Sequence, residues 1–374
     1  MKIACIATSQ VPSSTANSIQ VMKACDALQQ AGHEVRLWVP EADEGNPADF
    51  TNFYGLKTRF NVCQLPSRKG LKRYDFAWDA LRAARTWGAE LIYTWFSPVA
   101  VLGLRAGLPV ILELHDLPTG KAGPRWFRQF VKADGKKRLL VITDALQRAL
   151  ETTYGLRFDP QAIRVAPNGV DWQDYADMPD ARQARKQLGL PEQPTAVYTG
   201  HFYAGRGIEL LFAVALRMPQ VHFLWVGGRP QDVIRWQARL ASTGVDNVTL
   251  TGFVDKKDLP LYQAAGDFLL MPYEQAIAGS SGGNSAAICS PMKMFDYLAA
   301  GRVILTSDLP VLHEVLNEDN AVFCPAGDVE AWLAALVNLL ADPPRCERLA
   351  RQARLDGQNF SWLARARNAL DGFV

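Results

Sequence analysis

The sequence TAVYTGHFYAGRG at residues 195–207 contains a buried strand, a loop and the start of a helix. Its first five residues are apolar, aromatic or β-branched, which is typical of a strand covered on both faces of a parallel sheet. Gly200, Gly205 and Gly207 then supply the turn, and a helical pattern follows. This order predicts one unit of a doubly wound α/β sheet.

The same alternation of strands and helices runs along the whole chain. Amphipathic helical segments include residues 19–31, 76–87 and 144–154. The polar segment 171–194 interrupts the pattern and predicts the passage between two domains. We expect two doubly wound Rossmann-like domains that face each other across a cleft, with ligands at the carboxyl ends of the strands. The predicted strands are residues 2–7, 34–39, 61–65, 90–95, 110–115, 139–143, 164–166, 195–199, 222–226, 248–251, 268–272, 303–306 and 321–324.

The composition is that of a globular protein. The 374 residues are 48% hydrophobic and 21% charged, which argues against a disordered chain, a coiled coil or a fibre. No apolar run approaches the roughly 18–20 residues that span a bilayer, and the first residues are typical of a strand rather than a signal peptide. Six cysteines without C-x-x-C spacing indicate reduced thiols, so we expect a cytoplasmic protein.

Basic residues are concentrated in the first half, which carries a net charge of +7 over residues 1–168 against −5 over residues 169–374. Within residues 121–138, seven basic residues accompany one acid, and at helical spacing the aromatic residues gather opposite the basic ones. This pattern is typical of a helix lying on anionic lipid, on the inner face of the membrane. Alternatively, the aromatic side packs on the domain's own sheet. The residues that form the two sides are Trp126, Phe127, Phe130 and Val131 against Arg125, Arg128 and Lys132.

Two sequence motifs of the second half suit an anionic ligand. Arg206 lies at the entrance of the helix after the loop at residues 200–207, where a guanidinium can pair with a diphosphate. In SPMKMFDYLAAG at residues 290–301, Lys293 and Asp296 lie three apart and share a helix face. That face offers a cation for phosphate and a carboxylate for sugar hydroxyls. The alternatives are a solvated arginine and a Lys–Asp ion pair on an exposed helix.

The start of this second motif predicts how its helix begins. Ser290 is expected to be the N-cap, with Pro291 in the first turn, so that amides near Met292 face an anion. In the first half, ELHD at residues 113–116 ends a predicted strand. His115 would then lie at the carboxyl edge of the sheet, where it could hydrogen-bond a reacting hydroxyl, although lone histidines are more often structural.

In this order and at these separations, the motifs resemble glycosyltransferase family 4, whose members have the GT-B fold and retain the configuration of the transferred sugar. The pieces that carry the resemblance are His115-Asp116, PNGVD at residues 167–171, the loop 200–207, VGG at 226–228, TGFV at 251–254, residues 290–301 and FSW at 360–362. The resemblance implies an acceptor-binding domain at residues 1–168, to which a helix at about 358–374 returns. It implies a nucleotide-sugar domain at residues 169–357.

The resemblance also implies site residues and partners. The donor would be a nucleotide-diphosphate sugar, UDP- or GDP-linked, and the acceptor a glycan or glycolipid in cell-surface polysaccharide or glycolipid synthesis. No separate cofactor is expected. The catalytic residues implied are His115, Asp116, Arg206 and Lys293. The donor-binding residues implied are Gly200, Arg206, Gly228, Phe253, Val254, Asn284, Ser290, Pro291, Met292, Lys293 and Asp296.

The sequence departs from the family pattern at one motif. The first glutamate of the family's E-x₇-E motif falls on Ile288, a departure that relatives with an S-P-x-K signature share. Asn284, Ser285 or loop amides could take over the hydrogen bonds to the sugar. A metal-free site is expected, because the chain contains no Asp-x-Asp pair and no His/Cys ligand spacing.

Three other functions compete with sugar transfer. A nucleotide-sugar 2-epimerase shares the architecture, but it needs several acidic and histidine side chains around the sugar. A non-catalytic two-domain sugar-binding protein would not need the pair of cations. A nicotinamide dehydrogenase is disfavoured because no G-x-G-x-x-G follows the first strand, and no nucleic-acid partner is expected because no binding module is recognisable.

Overall fold

The computed structural model shows two compact units. The N-terminal unit comprises residues 1–168 together with 362–374, and the C-terminal unit comprises residues 169–361. The predicted boundary also followed residue 168, but the chain returns at Trp362 rather than at about 358. The residues that the structure describes are 1–41, 49–71, 73–277 and 286–373.

The N-terminal unit is a parallel sheet covered by helices. Its strands are β1 (Lys2–Ile6), β2 (Glu34–Pro40), β3 (Asn61–Leu65), β4 (Leu91–Thr94), β5 (Val110–Leu114), β6 (Lys137–Val141) and β7 (Ile163–Val165). Its helices are α1 (Ala16–Gln30), α2 (Phe50–Tyr54), α3 (Tyr74–Trp87), α4 (Ser97–Arg105), α5 (Gly123–Lys132), α6 (Asp144–Tyr154) and, from the chain end, α14 (Trp362–Leu370). Among the described residues the order is β3-β2-β1-β4-β5-β6-β7, and every pairing is parallel.

The C-terminal unit repeats this plan. Its strands are β8 (Thr195–Thr199), β9 (His222–Val226), β10 (Val248–Gly252), β11 (Phe268–Met271), β12 (Val303–Ser307) and β13 (Val322–Cys324). Its helices are α7 (Ala181–Leu188), α8 (Ile208–Arg217), α9 (Pro230–Thr243), α10 (Leu259–Ala264), α11 (Met292–Ala300), α12 (Val329–Ala341) and α13 (Pro343–Gly357). The described strands are all parallel in the order β10-β9-β8-β11-β12-β13. The predicted α/β class with two Rossmann-like parallel sheets is therefore confirmed.

The strand order of the C-terminal unit places the loops of interest together. The chain leaves β8 towards one side, through β9 and β10, and returns to β11 on the other side. In doubly wound sheets, ligands bind outside the carboxyl ends of the strands at this reversal of order. The loops after Thr199 and Met271 leave the sheet there. Both strands are buried throughout, so their ends are fixed by the core.

The segment 171–194, predicted to be the passage between domains, lies inside the C-terminal unit. The prediction is wrong because the segment is polar for another reason. It contains the partly exposed helix α7, whose N-cap Asp180 accepts a hydrogen bond from the Gln183 amide. The chain instead changes unit directly after Asn168. Polar, proline-containing sequence thus marked a solvent-facing element rather than a linker.

The basic segment at residues 121–138 is only partly helical. Helix α5 ends at Lys132, and Lys137 and Arg138 belong to β6. Arg138 is buried and donates hydrogen bonds to the carbonyls of Ala369 (3.0 Å) and Asp371 (2.7 Å) at the chain end.

The aromatic side of α5 packs on its own unit, as the alternative prediction held. Phe127 and Phe130 are 0% and 2% exposed, so a membrane contact through these two rings is wrong. None of the helices in the described part of the chain is both long and apolar enough to cross a bilayer.

Candidate active site

Backbone hydrogen bonds tie the loop after β8 to the end of β9, and Gly200 in this loop lies close to Lys293 of helix α11. The Gly200 amide donates to the Val226 carbonyl (2.8 Å), and the Gly228 amide donates to the Gly200 carbonyl (3.1 Å). Gly200 has φ 139°, and a Cβ there would lie 2.8 Å from Lys293 Nζ. The backbone conformation therefore favours glycine at this position, and a side chain there would displace the Lys293 ammonium. The backbone of Gly200 and the ammonium of Lys293 are direct neighbours.

The guanidinium of Arg206 packs against the rings of neighbouring tyrosines. Its guanidinium carbon is 4.9 Å from the ring centre of Tyr203 and 5.2 Å from that of Tyr273, and Nη2 donates to the Tyr203 hydroxyl at 2.7 Å. Burial raises the pKa of Tyr273 to about 12, so this ring is a neutral phenol at physiological pH. The tyrosines attract the guanidinium through their ring faces and do not neutralise it.

Lys293 occupies the first turn of α11. Its ammonium is 3.9 Å from the ring centre of Tyr198 and 5.4 Å from that of Tyr273. The Nζ atom is buried, and among the described residues it has no hydrogen-bond partner. Burial, together with repulsion from Arg206, holds the pKa of Lys293 well below its ordinary value, and Asp296 offsets this only in part.

Arg206 and Lys293, which we call the cationic pair, form no salt bridge with another described residue, and Asp296, the acid that acts on Lys293, is bound to Lys256. Both side chains lie over the ring of Tyr273, and each places its charged group at the carboxyl end of the sheet. Two like charges out of water are unfavourable unless an anion joins them. A ligand with several negative oxygens, such as a diphosphate, supplies that charge.

His201 belongs to the same site and was not singled out by the sequence reasoning. Its imidazole stacks on Tyr203 at 5.4 Å between ring centres. Burial, and then the charges of Arg206 and Lys293, hold the pKa of His201 below its ordinary value, so the ring is neutral in the absence of a ligand. The signal was its place directly after Gly200, inside the quoted loop.

Asp296, predicted to hold ribose hydroxyls, is buried and already has a partner. Its carboxylate accepts a hydrogen bond from Lys256 Nζ at 2.6 Å. The structure thus pairs this carboxylate with Lys256, from the loop after β10, rather than with Lys293 on its own helix. A ribose bound at Asp296 would have to share it with Lys256.

Helix α11 begins one residue later than predicted. Pro291 has extended backbone (φ −68°, ψ 124°) and is the N-cap, so it replaces Ser290 in that role and does not lie in the first turn. The amides of Met292 and Lys293 open the helix and lack intrahelical acceptors by position. They remain suited to an anion, as predicted.

The remaining predicted donor residues are spread over the same sheet edge. Phe253 follows β10 and is 59% exposed, and Val254 is half-buried beside it. The amide of Gly228 is used by the Gly200 carbonyl, so it serves the fold. Ile288 is buried, as expected for a residue that cannot hydrogen-bond a sugar. Asn284 lies outside the described residues.

The two predicted catalytic residues of the first half lie in the N-terminal unit. His115 follows β5, and its Nε2 is 2.6 Å from Glu113 Oε1. The carboxylate of Asp116 accepts a hydrogen bond from the Leu117 amide at 2.8 Å. Glu113 was quoted only as a neighbour in the sequence, although its carboxylate has more partners than either of them.

Sequence comparisons agree with a two-unit protein that handles glycosyl groups. Residues 18–174 match the family described as Glycosyltransferase Family 4, and residues 193–342 match the family described as Glycosyl transferases group 1. Fold and matches together define a glycosyltransferase. The chain belongs to glycosyltransferase family 4.

Similar proteins include a D-inositol 3-phosphate glycosyltransferase of Xylanimonas cellulosilytica, 27% identical over 78% of this chain and 68% of that protein. A putative teichuronic acid biosynthesis glycosyltransferase, TuaH of Bacillus subtilis, is 28% identical over 76% and 75%. The sulfoquinovosyl transferase SQD2 of Arabidopsis thaliana is 23% identical over 54% of this chain and 38% of that protein.

Solved structures share the fold. Sucrose-phosphate synthase from Thermosynechococcus elongatus superposes with a TM-score of 0.74 at 21% identity, covering 98% of this chain and 96% of that one. Anabaena Alr3699/HepE in complex with UDP-glucose gives a TM-score of 0.75 at 16% identity, covering 100% and 99%. These likenesses establish the GT-B architecture.

Replacing Lys293 by methionine tests whether the cationic pair is a cost to the ligand-free fold. We expect Lys293→Met to raise the free energy of unfolding by about 0.5–2 kcal/mol, because it removes a buried amine that has no partner and whose protonation is disfavoured by burial and Arg206. The same change should weaken binding of a nucleoside diphosphate by roughly 10- to 100-fold, the worth of a charged hydrogen bond. Urea unfolding and calorimetric titration with UDP measure the two effects.

Lys186→Met is the matched control, since Lys186 is an exposed lysine of helix α7 in the same unit. It should change stability by no more than about 0.5 kcal/mol and leave UDP binding unaltered. A Lys293→Met protein that is less stable than the parent without ligand would contradict the description of this site.

Proposed function

We propose that this glycosyltransferase moves a sugar from a nucleotide-diphosphate sugar to an acceptor hydroxyl, with retention of configuration and without a metal ion. The observation that carries the proposal is the cationic pair at the carboxyl end of the sheet. Lys293, in the first turn of α11, lies against Gly200, and within the described residues it has no hydrogen-bond acceptor. A diphosphate completes this arrangement.

The pair acts on the leaving group. During transfer, the bond between the anomeric carbon and the diphosphate oxygen breaks, and a bond to the acceptor oxygen forms as the acceptor loses its proton. Negative charge grows on the departing diphosphate. Donors fixed before the reaction stabilise that charge without reorganising, and removing one costs about 3–4 kcal/mol in the barrier. Arg206, Lys293 and the amides of Met292 and Lys293 are such donors.

This source of positive charge supports a metal-free reaction. A divalent ion in a transferase site neutralises the diphosphate, and here two side chains provide the same total charge. The retained configuration rests on the family, since no distance in either unit reports it. His115 is proposed to hydrogen-bond a substrate hydroxyl.

The donor is proposed to be a UDP- or GDP-sugar. The Anabaena relative in fold was solved with UDP and with UDP-glucose, which supports a uridine nucleotide. Phe253, an exposed ring at the end of β10, is suited to stacking on a base. The acceptor is proposed to belong to cell-surface polysaccharide or glycolipid synthesis, and the name of one relative, a putative teichuronic acid biosynthesis glycosyltransferase, supports the polysaccharide.

An anionic membrane surface is proposed as a further partner of the N-terminal unit, with a cytoplasmic protein held on the inner face. The basic side of α5 is exposed, and a cavity of about 580 Å³ between α4 and α5 is lined by Arg105, Arg125, Arg128 and Lys132. Next to it, Trp126 Nε1 donates to the Tyr74 hydroxyl, and Trp78, one turn further along α3, is 62% exposed. Cations beside exposed aromatic rings suit the headgroup region of a bilayer.

The transfer reaction is tested by following sugar and nucleotide together. With UDP- or GDP-sugars and a polyprenyl- or glycan-type acceptor, we expect a new glycoside and one free nucleoside diphosphate per transfer, unchanged by EDTA. Arg206→Met should lower turnover by about 100-fold or more. Arg217→Met, which removes an exposed arginine paired with Glu330, should not.

Two results would contradict the proposal. Loss of activity in EDTA that added Mg²⁺ restores would contradict the metal-free step. Conversion of the nucleotide sugar to an isomer, with no glycoside formed, would support the 2-epimerase alternative instead.

The membrane proposal is tested by liposome co-sedimentation. Reversing three charges, Arg125, Arg128 and Lys132 to glutamate, should weaken binding to anionic vesicles by roughly 100-fold or more, at about 1 kcal/mol per charge. Binding of the parent should fall as salt rises and be absent on neutral vesicles. The control reverses Arg345, Arg348 and Arg351, exposed residues of α13 in the other unit. Equal binding of the two triple variants would contradict the proposal.

A further inference from the structure

The carboxylate of Glu113 lies in the core of the N-terminal unit. It belongs to β5, every residue of which is buried, and it is 1% exposed. A buried carboxylate is strongly unfavourable unless charge and hydrogen bonds compensate it. The side chains around Glu113 must therefore supply that compensation.

Four side chains from different parts of the chain lie within hydrogen-bond distance of this carboxylate. Gln20 Nε2, His115 Nε2 and Arg365 Nη2 each lie 2.6 Å from Oε1, and the Tyr93 hydroxyl donates to Oε2. Arg365 is buried on α14 and also donates from Nε to the Pro167 carbonyl at 2.9 Å. The C-terminal helix thus carries the counter-charge of Glu113.

The group is ionised. Burial by itself favours the neutral carboxyl, but the Arg365 guanidinium and the hydrogen bonds from His115 and Tyr93 outweigh it and hold the pKa of Glu113 well below its usual range. An ionised carboxylate only accepts hydrogen bonds. The ring nitrogen of His115 that faces it must then carry a hydrogen.

We infer that Glu113, held by Arg365, is a positioning residue that fixes His115 as the Nε2–H tautomer. In a neutral imidazole the other nitrogen, Nδ1, is then an acceptor, free of a hydrogen. Nδ1 is thereby set to accept a hydrogen bond from a substrate hydroxyl. The last step rests on the proposed function, in which His115 contacts the sugar or the acceptor.

This role gives a chemical reason for the return of the chain to the N-terminal unit. Arg365 lies 252 positions after Glu113 and reaches it from a helix that also holds Asn368, whose side chain donates to the Val165 carbonyl at 3.1 Å. Asn368 docks the helix on the unit, whereas Arg365 also sets the charge beside His115. The two contacts can be separated by mutation.

The tautomer can be read directly from ¹⁵N shifts of the His115 ring, without an activity assay. Wherever the ring is neutral, the parent protein should show the Nε2–H form. In Glu113→Gln the new amide can donate to Nε2, so the Nδ1–H form should become populated, and turnover should fall by at least about tenfold.

Because Glu113→Gln leaves the buried Arg365 without its counter-charge, a second variant removes both charges. Glu113→Gln/Arg365→Met should populate the Nδ1–H form in the same way. Asp26→Asn is the control, since Asp26 is another buried carboxylate of this unit and accepts from the Thr58 amide at 2.8 Å. Asn368→Ala controls for docking of the helix. Neither control should alter the tautomer.

Three results of the tautomer measurement would overturn the inference. They are an Nδ1–H ring in the parent, an unchanged tautomer in both Glu113 variants, and an equal tautomer change in Asp26→Asn. If the tautomer changes while turnover does not, His115 does not contact the reacting groups and the inference falls. The transfer assigned to the cationic pair would still stand, because it depends on Arg206 and Lys293.

Discussion

The burial of two like charges under a tyrosine ring governs the C-terminal unit. Arg206 and Lys293 both lie over Tyr273, and among the described residues the acid that favours the charged form of Lys293 is Asp296, which is itself bound to Lys256. A site of this kind is costly to the ligand-free fold and favourable once an anion arrives. The strands β8 and β11 are buried along their whole length, and they hold in place the loops that carry the two charges.

The core of the N-terminal unit contains a buried charge of the opposite sign. There a single buried carboxylate, Glu113, is surrounded by donors, and one of them is the guanidinium of Arg365. Because these donors compensate the charge, it is stable without a ligand, and it orients the side chains around it. We propose that in one unit an uncompensated pair favours binding of an anion, and that in the other a compensated carboxylate fixes the tautomer of a histidine. Both arrangements depend on low dielectric around a charge.

The sequence predicted those parts of the fold that depend on local pattern. The strands at residues 195–199 and 222–226 and the helix at 144–154 have the predicted bounds, because apolar runs and helical periodicity are local properties. Contacts between residues that are distant in the sequence could not be predicted from local patterns. The contact of Glu113 with Arg365 spans 252 positions in the sequence, and the contact of Lys256 with Asp296 spans 40 positions. The basic run after Lys132 continued the charge pattern of a helix, yet Arg138 serves a strand and the chain end. Residues 206 and 293 were identified as cations for a phosphate, but their burial among tyrosines follows only from the packed sheet.

The proton uptake that accompanies nucleotide binding measures the uncompensated charge most directly. A diphosphate should restore the proton that burial and Arg206 displace from Lys293, so affinity should fall as pH rises from the lowered pKa towards the usual lysine value of about 10.4. Calorimetric titration with UDP at about pH 8.5, where an ordinary histidine is neutral, should give heats that vary with the ionisation enthalpy of the buffer, by an amount equal to a net uptake of protons. Lys293→Arg, which keeps the charge but does not titrate in this range, should abolish that dependence. Heats that are independent of the buffer in the parent protein across this range, with UDP bound, would contradict the account.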